Sequence, residues 1–504
     1  MQRGIRAAVM AAMVVAASFS IRADVSQPSQ AAEIQLQIGH ALLREGRYRD
    51  ALEAYQHALD GSDPSAARPA RAGIVQSALR IAEFGLARLQ ADALVEAAPR
   101  DPDALVLHGD ALWASGLFEE AENRFREAVA IAPNLARGRH GLARALAARS
   151  RLDEAMDEAQ GALQLAPRDL ELHHTVGTIY ARMNKYEEAA AAYGNYVNLL
   201  PNSDRSDKAD WSRAEIKFLR SFGQRVPFET EPGAENKLFT VDFRVENDKV
   251  VIRAKVNDGS LQDFIVDTGA ESTILSGTTA RRARVAPITY TLSAGVGDIG
   301  LRGLQLARIN TLEIGSLKLR NVPCLIKDPG LRDLPVKETE SLSPLALGFS
   351  MVVDYKTRKI TFGKHLEPEA ADFELPLRLN RLATVRGTVD GVHPTSFVVD
   401  TGGEVISISQ ATAAALTKPR PSRRIALRVF GSSGWDKDAF LMPGVDLAFD
   451  EIRYTNIPVV VLNLQTPSAL LGYQLGGIVG HRFLSKYRVG IDVERSVLRL
   501  KSIT

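Results

Sequence analysis

Two aspartates stand in matching surroundings 133 residues apart. The segment Phe264-Ile-Val-Asp-Thr-Gly-Ala-Glu-Ser-Thr-Ile-Leu-Ser276 returns as Phe397-Val-Val-Asp-Thr-Gly-Gly-Glu-Val-Ile-Ser-Ile-Ser409, with seven of thirteen positions identical. Two carboxylates that share one proton can supply both a base that activates water and an acid that polarises a carbonyl. Asp267 and Asp400 could therefore carry out hydrolysis without a metal ion or a covalent intermediate. The alternative is that each aspartate only caps a turn at a strand end.

The duplication extends beyond these two loops. Asn321-Val-Pro323 returns as Asn456-Ile-Pro458, and the offset between matching segments grows only from 133 to 138 residues towards the end of the chain. After residue 236, short apolar runs separated by Gly, Asn, Asp and Pro indicate an all-β region. The sequence thus predicts two β lobes of one topology, lobe 1 (237–366) and lobe 2 (367–504), each of which contributes one aspartate.

An apolar strand running into Asp-Thr-Gly, twice within a duplicated frame, resembles the pepsin and retropepsin class of aspartic proteases over residues 237–504. The resemblance implies an aspartic-type endopeptidase with catalytic Asp267 and Asp400, a peptide or protein substrate, and neither cofactor nor metal. Threonines after the aspartates would hydrogen-bond across the lobe junction, and glycines would leave room beside the carboxylates. These supporting residues are Thr268, Gly269, Thr401 and Gly402.

A glycine-rich segment, Gly295-Val-Gly-Asp-Ile-Gly300, lies midway through lobe 1. Its Gly-x-Gly-x-x-Gly pattern indicates dinucleotide binding only between a strand and a helix, whereas the residues that follow predict strands. We therefore expect a β-hairpin that covers the substrate, as the resemblance implies. The predicted flap residues are Gly295 and Gly297, with Gly431 and Gly434 as their counterparts in lobe 2.

Two departures from the family pattern favour a different function. An ungapped comparison of the lobes sets Leu342 against Gly480, where the family has glycine, and Gly403 replaces the small residue Ala270. The alternative is a catalytically inactive protease-like protein that acts as a protein–protein interaction module. Retention of both Asp-Thr-Gly loops favours the enzyme.

Residues 34–222 show a repeat of 34 residues, marked by equally spaced prolines and alanines. The prolines are Pro99, Pro133, Pro167 and Pro201, and the alanines are Ala87, Ala121, Ala155 and Ala189. Small residues at Gly109 and Ala121 would let paired helices approach, with aromatic side chains between neighbouring pairs. The pattern resembles the tetratricopeptide repeat and predicts an all-α solenoid of about five repeats that binds a protein partner or recruits substrate. We call this region the helical array.

The remaining segments bear on location and domain boundaries. Arginines before an apolar stretch predict a cleaved signal peptide over 1–23, and hence an exported protein, periplasmic or secreted. An uncleaved segment would instead anchor the chain to a membrane. Residues 223–236 read as a linker that few contacts cross, so both parts should fold independently. Sixty-two Lys plus Arg residues against 60 Asp plus Glu give a nearly neutral chain, which argues against nucleic acid as a partner.

Overall fold

The computed structural model describes residues 30–60, 64–201, 204, 206–327, 330–331, 340–419 and 424–503. Helices fill the first part of this range and strands dominate the rest, so the predicted multidomain class, an all-α solenoid followed by an all-β two-lobed region, is confirmed. The predicted signal peptide lies outside the described residues. No helix within the described ranges combines the length and apolarity needed to cross a bilayer.

Helices in the described part of the array follow one another as antiparallel pairs. From α1 to α11 they are Gln30–Arg44, Tyr48–Asp60, Pro64–Arg80, Phe84–Ala97, Pro102–Ala114, Phe118–Ile131, Ala136–Ala148, Leu152–Leu165, Leu170–Arg182, Tyr186–Leu199 and Asp207–Arg220. Phe125 of α6 shows how neighbouring repeats pack. A Cβ atom would lie 2.5 Å from its ring at Gly109 and 2.2 Å at Gly141 of the next repeat, so both positions require glycine. The aromatic ring therefore fills the space between helix pairs, as the repeat pattern predicts.

The first half of the β region is built mainly of short strands. Strands β1 to β12 are Glu229–Thr230, Phe239–Asp242, Arg244–Glu246, Lys249–Val256, Leu261–Val266, Thr273–Ser276, Pro287–Ala294, Leu301–Ile314, Leu317–Lys327, Glu340–Leu342, Ser350–Asp354 and Lys359–Gly363, with helix α12 at Gly277–Arg282. The predicted linker contains β1, which pairs with β9, so this segment lies against lobe 1.

The second half repeats this order. Strands β13 to β24 are Phe373–Asn380, Leu382–Val389, His393–Val399, Ile406–Ser409, Ile425–Ala426, Val429–Gly431, Gly434–Asp436, Phe440–Phe449, Ile452–Leu462, Gly477–Val479, Tyr487–Asp492 and Val497–Ser502. Helices α13 to α15 are Gln410–Ala415, Gln465–Leu471 and His481–Leu484. In each lobe, the strand before the Asp-Thr-Gly loop pairs in parallel with a late strand, β5 with β10 and β15 with β22.

One antiparallel sheet joins the two lobes beneath the loops. Its order is β2-β12-β11-β23-β24-β13, and lobe 1 meets lobe 2 where β11 pairs with β23. Apolar side chains of both lobes form one continuous buried cluster, in which Val353 of β11 lies opposite Val489 of β23. Because neither lobe can bury this sheet alone, the two Asp-Thr-Gly loops are held at a fixed separation.

The helical array packs directly on both lobes. At lobe 2, the Gln474 amide donates to the Ala114 carbonyl (2.7 Å), and the Phe118 and Tyr473 rings meet edge to face at 5.1 Å. At lobe 1, α11 and the residues after it share an apolar cluster with β7 to β9 that includes Phe222 and Leu306. The expectation that few contacts cross between the two parts is therefore wrong. The sequence pattern marked the boundary between periodicities but carried no signal for the apolar surface that covers it.

Candidate active site

The two Asp-Thr-Gly loops leave their strands in the same way. The Asp267 amide donates to the Leu342 carbonyl (2.9 Å), and the Asp400 amide donates to the Val479 carbonyl (3.1 Å). Leu342 pairs with Val266 in register, just as Val479 pairs with Val399. Leu342 is therefore the counterpart of Val479, and the ungapped comparison that set it against Gly480 is wrong by one residue.

Ser343 takes the place equivalent to Gly480 in lobe 1. A Cβ atom at Gly480 would lie 2.6 Å from the Gly403 carbonyl oxygen, so lobe 2 requires glycine there. Lobe 1 accommodates a side chain, and the buried Ser343 hydroxyl has no hydrogen-bond partner among the described residues. The departure from the family pattern therefore lies at Ser343, because the spacing between the lobes changes by one residue before this strand.

The threonines of the two loops bind each other symmetrically across the lobe junction. Thr268 Oγ1 donates to the Val399 carbonyl (2.6 Å) and accepts from the Thr401 amide (3.0 Å). Thr401 Oγ1 donates to the Val266 carbonyl (2.6 Å) and accepts from the Thr268 amide (3.2 Å). Both side chains are buried. Each hydroxyl therefore ties its own loop to the strand end of the opposite lobe.

This interlock brings the two carboxyl groups together. A Cβ atom at Gly269 would lie 2.5 Å from Asp400 Cγ, and one at Gly402 would lie 2.6 Å from Asp267 Cγ. Each glycine thus makes room for the aspartate of the other lobe. The Gly269 amide donates to Asp267 Oδ1 (3.0 Å), and the Gly402 and Gly403 amides donate to Asp400 Oδ1 (2.8 and 3.0 Å).

The environment of the pair disfavours a second negative charge. Burial and the neighbouring Asp400 carboxylate raise the pKa of Asp267 to about 8. Burial also raises the pKa of Asp400, although the hydrogen bond from the Gly402 amide opposes this. Because like charges at this separation resist double ionisation, the two groups hold one proton between them over a wide pH range.

Two β-hairpins meet over the carboxyl groups. Flap 1 is the turn 295–300 between β7 and β8, and flap 2 is the turn 431–434 between β18 and β19. The Ser433 amide donates to the Val296 carbonyl (2.9 Å), and the Asp298 amide donates to the Trp435 carbonyl (2.9 Å). A strand, and not a helix, follows flap 1, so its glycine pattern lacks the context of dinucleotide binding.

All four predicted flap glycines lie at this tip-to-tip contact. At three of them an added Cβ atom would come within 2.5 Å of the opposite flap: Gly295, Gly297 and Gly431. At Gly434, which has a φ of 99°, the nearest atom is Ile299 Cδ1 at 3.1 Å. Glycine at these positions therefore allows the two backbones to approach.

Sequence reasoning missed a pair of acidic residues beside the loops. Glu271 accepts two hydrogen bonds from the Arg381 guanidinium, which lies on the β13–β14 turn of lobe 2 (2.6 and 3.1 Å). Its counterpart Glu404 lies 3.7 Å from Lys249, at the β3–β4 turn of lobe 1. Both glutamates fall four residues after their aspartates in the duplicated segments, and this recurrence was the available signal.

The concave face of the array was missed as part of the same site. One cavity of about 2880 Å³ extends from the two aspartates and the inner sides of the flaps to the inner helices of the array. Its array side includes His140 of α7, His174 of α9, and Trp211 and Glu215 of α11. The repeat pattern predicts a concave groove, but the docking that makes it face the aspartates depends on contacts between distant segments.

Family comparisons agree with this two-part architecture. Residues 252–336 match the gag-polyprotein aspartyl protease model, and residues 385–475 match a second model described as aspartyl protease. Tetratricopeptide-repeat models match residues 32–60, 72–136 and 106–169. No curated protein sequence matches the chain.

Similar solved structures correspond to the helical part. A tetratricopeptide protein from Thermus thermophilus is 21% identical, with 38% of this chain and 100% of that chain covered and a TM-score of 0.33. The MamA protein from Desulfovibrio magneticus RS-1 is 20% identical over 36% and 100% of the two chains, with a TM-score of 0.26. A tetratricopeptide protein from Parabacteroides merdae is 19% identical over 43% and 78%, with a TM-score of 0.30. The chain thus joins tetratricopeptide repeats to two consecutive segments of the aspartyl protease family.

Proposed function

We propose that this protein is an aspartic endopeptidase in which Asp267 and Asp400, one from each lobe, share a proton and activate a water molecule. One carboxylate takes a proton from the water as it attacks the peptide carbonyl, while the protonated partner donates to the carbonyl oxygen. The observation that supports this best is the reciprocal fit of each aspartate over the glycine of the opposite loop. A capping role for either aspartate would not require this fit.

The charge environment suits the singly protonated state. The pKa of Asp267 lies well above the usual range because of burial and the Asp400 carboxylate, so the acid member stays protonated towards neutral pH. Activity should fall at high pH when the shared proton is lost, and at low pH when the second carboxylate is protonated. We therefore expect a bell-shaped pH profile whose alkaline limb lies nearer neutrality than isolated carboxyl groups would give.

We assign the helical array a role in binding a protein partner or the substrate. Tetratricopeptide repeats form a module for protein–protein interaction, and here their concave side opens into the cavity that holds the aspartates. We also propose export from the cytoplasm, because Arg3 and Arg6 precede an apolar stretch from Ala7 to Ala17. An uncleaved N-terminal segment would leave the same domains anchored to a membrane.

A second candidate is a protease-like interaction module without catalytic activity. Ser343 favours it, because this residue replaces glycine beside the Asp267 loop and its buried hydroxyl has no partner among the described residues. A loop displaced at this point would misplace one carboxylate. The two functions differ in whether the purified protein hydrolyses peptides.

The test is cleavage of a denatured protein and of peptide mixtures by the purified mature chain from acidic to neutral pH. We expect cleavage that a statine-type transition-state analogue inhibits, because such a compound displaces the water between the carboxylates. Chelators and reagents directed at serine or cysteine should have no effect. A stably folded protein that cleaves nothing in this range would support the interaction module instead.

A further inference from the structure

Three parts of the chain meet at one corner of the cavity, beside the Asp267 loop. Lobe 1 contributes Glu271, lobe 2 contributes Arg381, and helix α11 of the array contributes Trp211 and Glu215. The Arg381 guanidinium lies over the Trp211 ring, 5.8 Å from its centroid, within the range of a cation–π contact. The corner therefore combines one element of the array with the residues that flank a proposed catalytic loop.

Glu215 has no hydrogen-bond or ion-pair partner among the described residues. Arg381 lies close enough to lower its pKa, but the donors of this guanidinium are used elsewhere. Nε and Nη2 donate to Glu271, and Nη1 donates to the Leu470 carbonyl (2.9 Å). The Glu215 carboxylate thus faces the cavity with its acceptor capacity free.

The charges at this corner do not balance. Arg381 contributes one positive charge and the ionised Glu215 and Glu271 contribute two negative charges, which leaves one negative charge in excess. Lys208, two turns earlier on α11, is paired with Glu171 and does not supply the missing cation. A cation entering the cavity would find a carboxylate whose partial burial strengthens the attraction.

We propose that Glu215 binds a lysine or arginine side chain of the substrate, so that the helical array supplies part of the cleavage specificity. This inference rests on the proposed peptidase function. The ligand is an extended polypeptide segment that passes the aspartates and continues along α11. Its basic side chain forms a charge-assisted hydrogen bond with the Glu215 carboxylate while its aliphatic stem packs near Trp211.

The selectivity should be confined to one side of the scissile bond. The two lobes are related by pseudo-twofold symmetry, which places the Lys249–Glu404 pair at the opposite corner. Within the described ranges, no hydrogen bond or ion pair joins an array residue to that pair. A substrate lying across both corners therefore meets the additional carboxylate once.

The test compares wild-type protein with Glu215→Gln, which keeps the side-chain size but removes the charge. Fluorescent decapeptides that differ only in lysine or norleucine at one position are cleaved, with the position varied across both sides of the scissile bond. We expect lysine to raise kcat/KM about tenfold or more at one position, as for a hydrogen bond to a charged group. In Glu215→Gln this ratio should fall to near one, whereas norleucine peptides keep their rate.

Two further variants separate a binding role from a structural one. Glu187→Gln removes an exposed carboxylate from the neighbouring helix α10 and should leave the lysine preference unchanged. Glu215→Asp keeps the charge and should retain a reduced preference in the same direction. A lysine preference that survives in Glu215→Gln, or that falls equally in Glu187→Gln, would overturn the inference.

A binding measurement separates this inference from the proposed function. Anisotropy of the same labelled decapeptides is measured with Asp400→Asn protein and with Asp400→Asn/Glu215→Gln protein, neither of which needs to cleave. Tighter binding of lysine peptides that depends on Glu215 would support the inference even if the wild-type chain hydrolyses nothing, in which case only the peptidase proposal fails. Equal binding of lysine and norleucine peptides by both proteins would contradict it.

Discussion

The interlock of the two threonines allows a quantitative prediction for Thr401→Val. Valine matches threonine in shape but removes a fully buried hydroxyl that donates to the Val266 carbonyl and accepts from the Thr268 amide. Each buried polar group left without a partner costs about 1–3 kcal/mol, so the two together should cost roughly 2–6 kcal/mol of unfolding free energy. The Asp400 loop also loses its tie to lobe 1, so peptide hydrolysis should fall with stability.

The assay is urea unfolding followed by circular dichroism, combined with kcat/KM at one pH. Thr401→Ser is the matched control, because it keeps the hydroxyl and removes only a methyl group, at a cost of about 1 kcal/mol. Thr268→Val should resemble Thr401→Val, since the two sets of bonds are equivalent. The reasoning would be refuted if Thr401→Val were no less stable than Thr401→Ser, because the hydroxyl bonds would then contribute nothing.

Three further predictions concern the flaps, the array contact and Glu215. In Gly295→Ala the new Cβ would lie 1.8 Å from Ser432 Oγ, so the flap tips must separate and KM for peptides should rise about tenfold in steady-state kinetics. Phe118→Ala removes a ring that packs on Tyr473 and should cost about 3–5 kcal/mol, with helical and β signals still unfolding together in urea; separate transitions would contradict the shared core. Burial raises the pKa of Glu215 from 4.5 to about 7, so wild-type stability is full below pH 4.5 and declines as pH rises through 7. Glu215→Gln lacks this decline and should be up to about 3 kcal/mol more stable than wild type at pH 8, with no such gain at pH 4.

Much of the architecture could be predicted because it is written in local periodicity. Proline and alanine recur every 34 residues in the array, and Phe125 packs between glycines of successive repeats as that pattern requires. The duplication likewise places one Asp-Thr-Gly loop at the end of a strand in each lobe. These features depend on residues close together in the sequence, so one chain is enough to detect them.

Features that depend on distant segments escaped prediction. The counterpart of Gly480 was misplaced by one residue, because strand register and not chain length decides which residue follows β10. The contact between Phe118 and Tyr473 joins two apolar surfaces that carry no pattern of their own. The position of Glu215 opposite Arg381 follows from that docking, so no spacing in the sequence reveals it.

The most direct test of the proposed function is the pair of substitutions Asp267→Asn and Asp400→Asn. Each removes one member of the acid–base pair at nearly constant side-chain volume, so each should abolish hydrolysis while circular dichroism shows an intact fold. The double variant should be scarcely worse than either single one, because groups that act as a unit give non-additive losses. Substantial hydrolysis by Asp400→Asn would contradict a site built from both lobes of one chain. Activity restored by mixing it with Asp267→Asn protein would then indicate that first lobes pair between two chains.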